Sequence, residues 1–155
     1  HHALAQDLFQ IYNEVIFDSR LPADLAVTWN KRLLTTAGYC RCKKLACTDG
    51  SGSRRRLAAI ELSNKVCDSE ERMRETLVHE MCHAATWLID GLDRLDHGPA
   101  FRCWGRRATQ CFPEIGEVKT THSYGIHQPH QFQCSNTSCL HVYGRHSRKG
   151  IDLVR

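Results

Sequence analysis

The sequence predicts an α+β fold, and three observations predict it. Apolar residues recur at helical spacing in three blocks, near residues 3–17, 68–90 and 99–111. Between the first two lie short stretches of strand character at 25–29, 33–39 and 57–62. From Phe112 onward the composition shifts to His, Gln, Ser, Thr and aromatics, which reads as a separate small β-rich region. The 155 residues, 41% hydrophobic and 25% charged, suffice for one well-formed core. Twenty-one Lys+Arg against seventeen Asp+Glu give +4, a balance that permits nucleic-acid binding without demanding it.

The elements follow in order. Leu4, Leu8, Ile11, Tyr12, Val15 and Ile16 form one stripe of an amphipathic helix, which Ser19 to Pro22 stops. Leu25 to Trp29 and Leu33 to Tyr39 read as strands, and Leu57 to Leu62 as a third. The polar stretch from Cys40 to Arg56, with its Asp49-Gly50-Ser51-Gly52-Ser53 run, reads as a mobile loop or an insertion. A long helix starts near Asp68, taken as its N-cap with Glu71 as the capping-box partner, and runs to the turn signal Asp90-Gly91. Pro99 suits the first turn of the next helix, which presents Phe101, Trp104, Ala108 and Cys111 on one face. Trp29 and Trp104 are expected in the core.

No apolar run approaches the roughly 20 residues a bilayer span needs, and no signal-type segment opens the chain, so a membrane protein is not expected. The first residues are His1-His2 rather than Met, so the chain is expected to be a piece of a longer protein. Nine cysteines, an odd number without regular spacing, argue against a secreted disulfide scaffold. Cys82, Cys103 and Cys111 sit in apolar helical stretches, where a reduced thiol behaves as a small hydrophobe. Cys40, Cys42 and Cys47 form one close set, and Cys134 with Cys139 another. A reducing compartment and a metal are the expectation.

The chemistry is carried by His79-Glu80-Met81-Cys82-His83, an H-E-x-x-H run inside a helical pattern. Residues four apart share a helix face, so both imidazoles can point at one zinc ion. Glu80, about 100° round the helix from His79, is left beside the metal. There it can take a proton from a zinc-bound water and hand it to a leaving amine. A catalytic zinc takes three protein ligands and keeps an open position. His97, thirteen residues beyond His83, is the best third candidate, arriving at the start of the next helix. The bland alternative is a pair of surface histidines, which leaves the apolar run from Leu77 to Leu88 unexplained.

The segment from Ile60 to Gly91, IELSNKVCDSEERMRETLVHEMCHAATWLIDG, closely resembles the SprT-like metalloprotease domain. YNEVIFDSRLP, WNKRLLTTAGYC and HGPAF are similar to the same family, nearest its germ cell nuclear acidic protein branch and further from Spartan. The resemblance implies a minigluzincin-like core at residues 3–112, with helices around a small mostly antiparallel sheet. Residues 113–155 would form a small β-rich zinc-binding and DNA-binding subdomain, cut short. It also implies a monomeric, nuclear, DNA-dependent zinc endopeptidase that cleaves proteins covalently crosslinked to DNA. Carried over by position, His79, His83 and His97 hold the zinc and Glu80 is the general base. The rival class is a DNA-binding adaptor whose zinc is structural. The family's tail carries two Cys pairs around a second zinc. Here Cys134 and Cys139, spaced C-x4-C, form the single pair, with His141 or His146 as substitutes.

The tail is also where DNA is expected. Arg145, Arg148, Lys149 and Arg155 stand against a lone Asp152, and Arg102, Arg106 and Arg107 can extend the surface. Phe132 and Tyr143 are read either as packing residues or as stacking platforms for unpaired bases, which would favour single-stranded DNA. Arg54-Arg55-Arg56 reads as a solvated loop before it reads as a DNA contact, and Cys40, Cys42 and Cys47 as a metal clip only at a stretch.

Overall fold

In the computed structural model the described residues are 2–48, 52–120, 128–136, 138–139 and 141–147. The chain divides into two compact units, His1–Ser123 and Tyr124–Arg155. The first holds α1 (His2–Phe17), β1 (Val27–Asn30), β2 (Gly38–Ala46), β3 (Arg54–Ser63), α2 (Glu70–Leu88) and α3 (Pro99–Cys111). A 3-10 turn, Pro113–Ile115, and the strip 116–120 follow α3 in the same unit. The second unit holds the hairpin β4 (His130–Gln133) and β5 (Val142–Arg145).

The sheet of the first unit is ordered β1-β3-β2 and is mostly antiparallel. β2 pairs antiparallel to β3 from Gly38↔Leu62 to Ala46↔Arg54, while β1 lies parallel to β3 from Val27↔Ile60 to Asn30↔Ser63. Two expectations are corrected here. The second strand begins at Gly38, because Leu33 to Ala37 is tied down as a turn: Ser63 Oγ donates to the Leu33 carbonyl and Ser63 N–H to the Ala37 carbonyl. The polar stretch expected as a loop is largely a hairpin arm. Its charged residues pair outward instead of melting the strands. Arg56 lies 4.2 Å over the Trp87 ring and donates to the carbonyls of Gly91 and Leu92, while Lys44 pairs with Asp93 at 2.7 Å. Arg56 is thus part of the scaffold.

α1 packs a stripe rotated from the expected one. Ala5, Leu8, Phe9, Tyr12 and Ile16 are buried, whereas Ile11 and Val15 are 46% and 43% exposed. Phe9 replaces them in the core because Tyr12, Ile16 and Phe17 already turn the helix toward Trp104 and Phe112. The helix ends where Asp18 and Ser19 take positive φ, and the Asn13 side chain bridges the reversal by bonding Leu21 through both its amide and its oxygen. Trp29, expected in the core, is half-buried on the outer strand β1; Trp104 is buried, its indole N–H on Asp90 at 2.8 Å.

α2 is capped by Ser69, not Asp68: the Ser69 hydroxyl accepts from Arg72 N–H at 3.2 Å. Asp68 instead pairs with the Arg72 guanidinium at 3.0 Å, and the capping-box role of Glu71 is not formed, since Arg72 occupies the third position. From Thr76 to Trp87 every residue of α2 is buried, under the sheet on one side and α1 and α3 on the other. In α3, Phe101, Trp104 and Ala108 face inward with Gly105, but Cys111 and Cys103 are exposed. Cys111 is the last residue of the helix, where its thiol reaches the Val15 carbonyl of α1 at 3.8 Å.

The cap gives a direct test of this register. Ser69→Ala should cost about 0.5–2 kcal/mol, and Asp68→Ala less, because its ion pair is solvent-exposed. Chemical denaturation of both variants measures the difference; equal losses would put the cap at Asp68.

Candidate metal centre

Three histidines meet at one point. His79 and His83, one turn apart on the buried face of α2, have ring centroids 4.9 Å apart. His97 arrives just ahead of the Gly98-Pro99 start of α3, with centroids 5.0 Å from His79 and 4.9 Å from His83. One ligand atom from each lies within 4.8 Å of the others, the sole such group of three or more His, Cys, Asp or Glu among the described residues. Phe101 forms a common floor, 4.6–4.9 Å from all three rings.

The orientation of His79 is fixed by its partner. Its Nδ1 lies 2.9 Å from the Lys119 carbonyl, an acceptor only, so that nitrogen carries the proton and Nε2 keeps its lone pair for the site. His79 Nε2 and His97 Nε2 face each other at 3.2 Å. Burial, aided by His97, pushes His83 down to about 4, so its ring is neutral at physiological pH. His83 Nδ1 is buried and has no hydrogen-bond partner among the described residues. Three imidazoles converging on one point, with the His79 Nε2 lone pair turned toward the site, fit a borderline cation such as zinc.

Glu80 lies beside this group rather than in it. The carboxylate is held by the backbone N–H of Cys40, while burial pushes its pKa up to about 8. The approach of β2 that makes this contact depends on Gly38. A Cβ there would come 2.6 Å from the Thr76 methyl and 3.0 Å from Glu80 Cγ. Arg102 Nε donates to the His97 carbonyl at 3.1 Å, steadying the third histidine.

Sequence reasoning missed Gly38, Phe101 as a floor, and the carbonyl of Lys119. A lone Gly in a strand pattern signals close backbone approach, so Gly38 was findable. Lys119 acts through its backbone and leaves no mark in the sequence.

The other sulfur sets are not assembled around a shared ion among the described residues. Cys40 and Cys42 share a sulfur–sulfur contact of 3.6 Å; that hydrogen bond, and then burial, holds the Cys40 thiol protonated. Cys47 is at the hairpin's far end, its N–H on the Ser53 carbonyl. In the second unit, Cys134 N–H donates to the His141 carbonyl and Cys139 N–H to Asn136, with no third donor near the pair among the described residues. Phe132 and Tyr143 sit opposite each other with rings 5.7 Å apart, and His141 continues the stack at 6.4 Å from Tyr143. Arg145 is exposed on β5. Arg148, Lys149 and Arg155 lie outside the described residues. Arg107 is taken up by an ion pair with Asp18, leaving Arg102 and Arg106 on the far side of α3.

A helix bearing two histidines and a glutamate, closed by a third histidine from the next helix, defines the class. Residues 5–122 match the model of the SprT-like family, and the chain belongs to that family. It is 36% identical over 152 residues to the human germ cell nuclear acidic protein, covering 98% of this chain and 21% of that protein. Its identity to the Drosophila melanogaster germ cell nuclear acidic protein is 37% over 151 residues, 97% of this chain and 14% of that one. The bovine DNA-dependent metalloprotease SPRTN is 33% identical over 99 residues, 62% of this chain and 18% of its own length. The chain thus spans about a fifth or less of the length of these relatives.

The raised carboxyl of Glu80 makes stability depend on pH in the metal-free chain. A folded-state value near 8 against an ordinary 4.5 means that the fold loses stability as pH rises through that window. Glu80→Gln removes the ionisation. The melting temperature of the metal-free variant should exceed that of wild type increasingly from pH 5 to pH 8 (a window set by that shift), followed by circular dichroism in chelator. A gap that stays constant with pH would contradict the burial of Glu80.

Proposed function

We propose that the chain is the peptidase module of a nuclear zinc endopeptidase that cleaves proteins crosslinked to DNA. The observation that carries this reading is the convergence of His79, His83 and His97 with Glu80 beside them. Among the described residues no fourth His or Cys closes the set. A structural zinc is normally closed by four protein ligands, so three favour an enzyme over an adaptor. Nuclear action on DNA-bound substrates draws on the names borne by the human and bovine relatives.

His79, His83 and His97 would hold the ion, which when bound supplies a Lewis acid for the peptide carbonyl and acidifies water. The residues do the rest. Glu80, anchored by Cys40 N–H, takes the proton of the attacking water and delivers it to the leaving amine. Its burial raises its proton affinity, and a nearby dication lowers it again, which sets the carboxylate between the two duties. The Lys119 carbonyl holds the His79 ring, Arg102 holds the His97 backbone carbonyl, and Phe101 packs against all three rings.

The second unit would supply contact with single-stranded or partly unpaired DNA. Tyr143 and Phe132 offer ring faces for unpaired bases, and Arg145, with Arg148 and Lys149, a charge for phosphates. Cys134 and Cys139, with His141 or His146, would hold a second zinc only weakly.

Glu80→Gln should keep the zinc but lower cleavage of a DNA-crosslinked protein by about 10²-fold or more. His83→Ala should lose both metal and cleavage. Metal analysis beside a gel assay decides the matter, and near-normal cleavage by Glu80→Gln would refute the mechanism.

A further inference from the structure

A cleft of about 840 Å³ opens between α3 and the strip 117–120, within the first unit. Its walls carry Arg102, Arg106 and Lys119 against a single acid, Glu117, with Thr109 and Gln110 between them. Among the described residues none of these three cations is ion-paired with a carboxylate. Arg102 and Arg106 lie one turn apart, about 6 Å along the helix axis, on the same face of α3. Arg107, next in sequence, is turned away to Asp18. The cleft is therefore lined mainly by cations and neutral polar residues, the chemistry that takes a sugar–phosphate backbone.

Two of its walls are attached to the metal centre. Arg102 gives one N–H to the His97 carbonyl at 3.1 Å and keeps its other guanidinium donors. Lys119 lines the cleft and gives its carbonyl to His79 Nδ1 at 2.9 Å. The strip bearing Lys119 is seated on α3. The Thr109 hydroxyl donates to the Gly116 carbonyl at 2.6 Å, and a Cβ on Gly105 would meet Val118 at 3.2 Å. An anion spanning α3 and the strip thus bears on the groups that orient two of the three histidines.

We propose that this cleft binds the phosphate backbone of a nucleic-acid strand, and that its occupation steadies His79 and His97 through Lys119 and Arg102. The proposal rests on the reading of the chain as a DNA-associated peptidase and adds a contact inside the peptidase unit itself. Because coupling is reciprocal, metal at the histidines must raise the affinity for the strand by the same factor that the strand raises affinity for metal.

The test is fluorescence anisotropy of a fluorescein-labelled oligothymidine with the whole 155-residue chain, zinc-loaded and metal-free. Zinc should tighten binding about five-fold or more. Arg106→Glu with Lys119→Glu should weaken it about ten-fold or more and flatten the salt dependence by about 1.4 in log–log slope, from two contacts at roughly 0.7 each. Arg106→Lys with Lys119→Arg should restore binding, which separates lost charge from lost fold. The d–d absorption bands of the cobalt-loaded chain should shift when the oligonucleotide binds. If the charge-reversed pair binds as wild type while Arg145→Glu/Arg148→Glu/Lys149→Glu does not, the cleft proposal falls and the DNA reading stands. If no form of the chain binds the strand, the DNA part of the proposed function falls with it. Equal competition by polyglutamate would reassign the cleft to acidic polypeptides, and a cobalt spectrum unmoved at saturation would overturn the coupling.

Discussion

A helix that carries two histidines and a glutamate through the interior sets the terms for the rest of the fold. From Thr76 to Trp87 α2 is buried without a break, so each polar group on it needs a partner that water would otherwise supply. The partners come from three different elements. β2 delivers the Cys40 N–H to Glu80, the strip after α3 delivers the Lys119 carbonyl to His79, and the α2–α3 connection delivers His97. Between Thr76 and Trp87, the buried His83 Nδ1 has no hydrogen-bond partner among the described residues. The sheet, the strip and α3 are arranged around that demand, and Gly38 is the point at which β2 comes close enough to meet it.

Much of this is legible in the sequence, for definable reasons. The H-E-x-x-H spacing is local and helical, so the face shared by His79 and His83 follows from the 3.6-residue period alone. His97 is readable because Gly98-Pro99 marks a helix start beside it. What escapes is set by tertiary context. The α1 stripe is rotated because Ala5, Phe9, Tyr12 and Ile16 satisfy the helical period as well as the set with Ile11 and Val15 does, and packing chooses between them. The stretch from Cys40 to Arg56 looks like a loop because its charges are numerous, and they are strand residues because the turn at Gly91–Asp93 and the Trp87 ring receive them. The cap moves from Asp68 to Ser69 through a one-residue difference in where the chain enters α2, which no propensity distinguishes. Carbonyls such as that of Lys119 are the same in every residue, so a site that uses them is invisible until the chain is folded.

The distribution of charge tells a related story. Several basic residues are committed to the scaffold: Arg41 to Glu61, Arg56 to Trp87 and Asp93, Arg72 to Asp68, Arg107 to Asp18. A net charge of +4 therefore says little about where a polyanion would sit. Pairing removes some of the candidates, and in the first unit the cations it leaves include Arg102, Arg106 and Lys119, gathered in one cleft. Two of these residues also bond the histidine group, Arg102 at the His97 carbonyl and Lys119 through its own carbonyl at His79 Nδ1.

The account stands on the three imidazoles acting as a ligand set with an open position. The most direct measurement is zinc K-edge X-ray absorption on the chain loaded with a single equivalent of zinc. Imidazole scattering from three nitrogens and one further light atom, at about 2.0–2.1 Å and with no sulfur shell, is the expected result. A sulfur shell near 2.3 Å would place the tightest site among the cysteines and contradict the account.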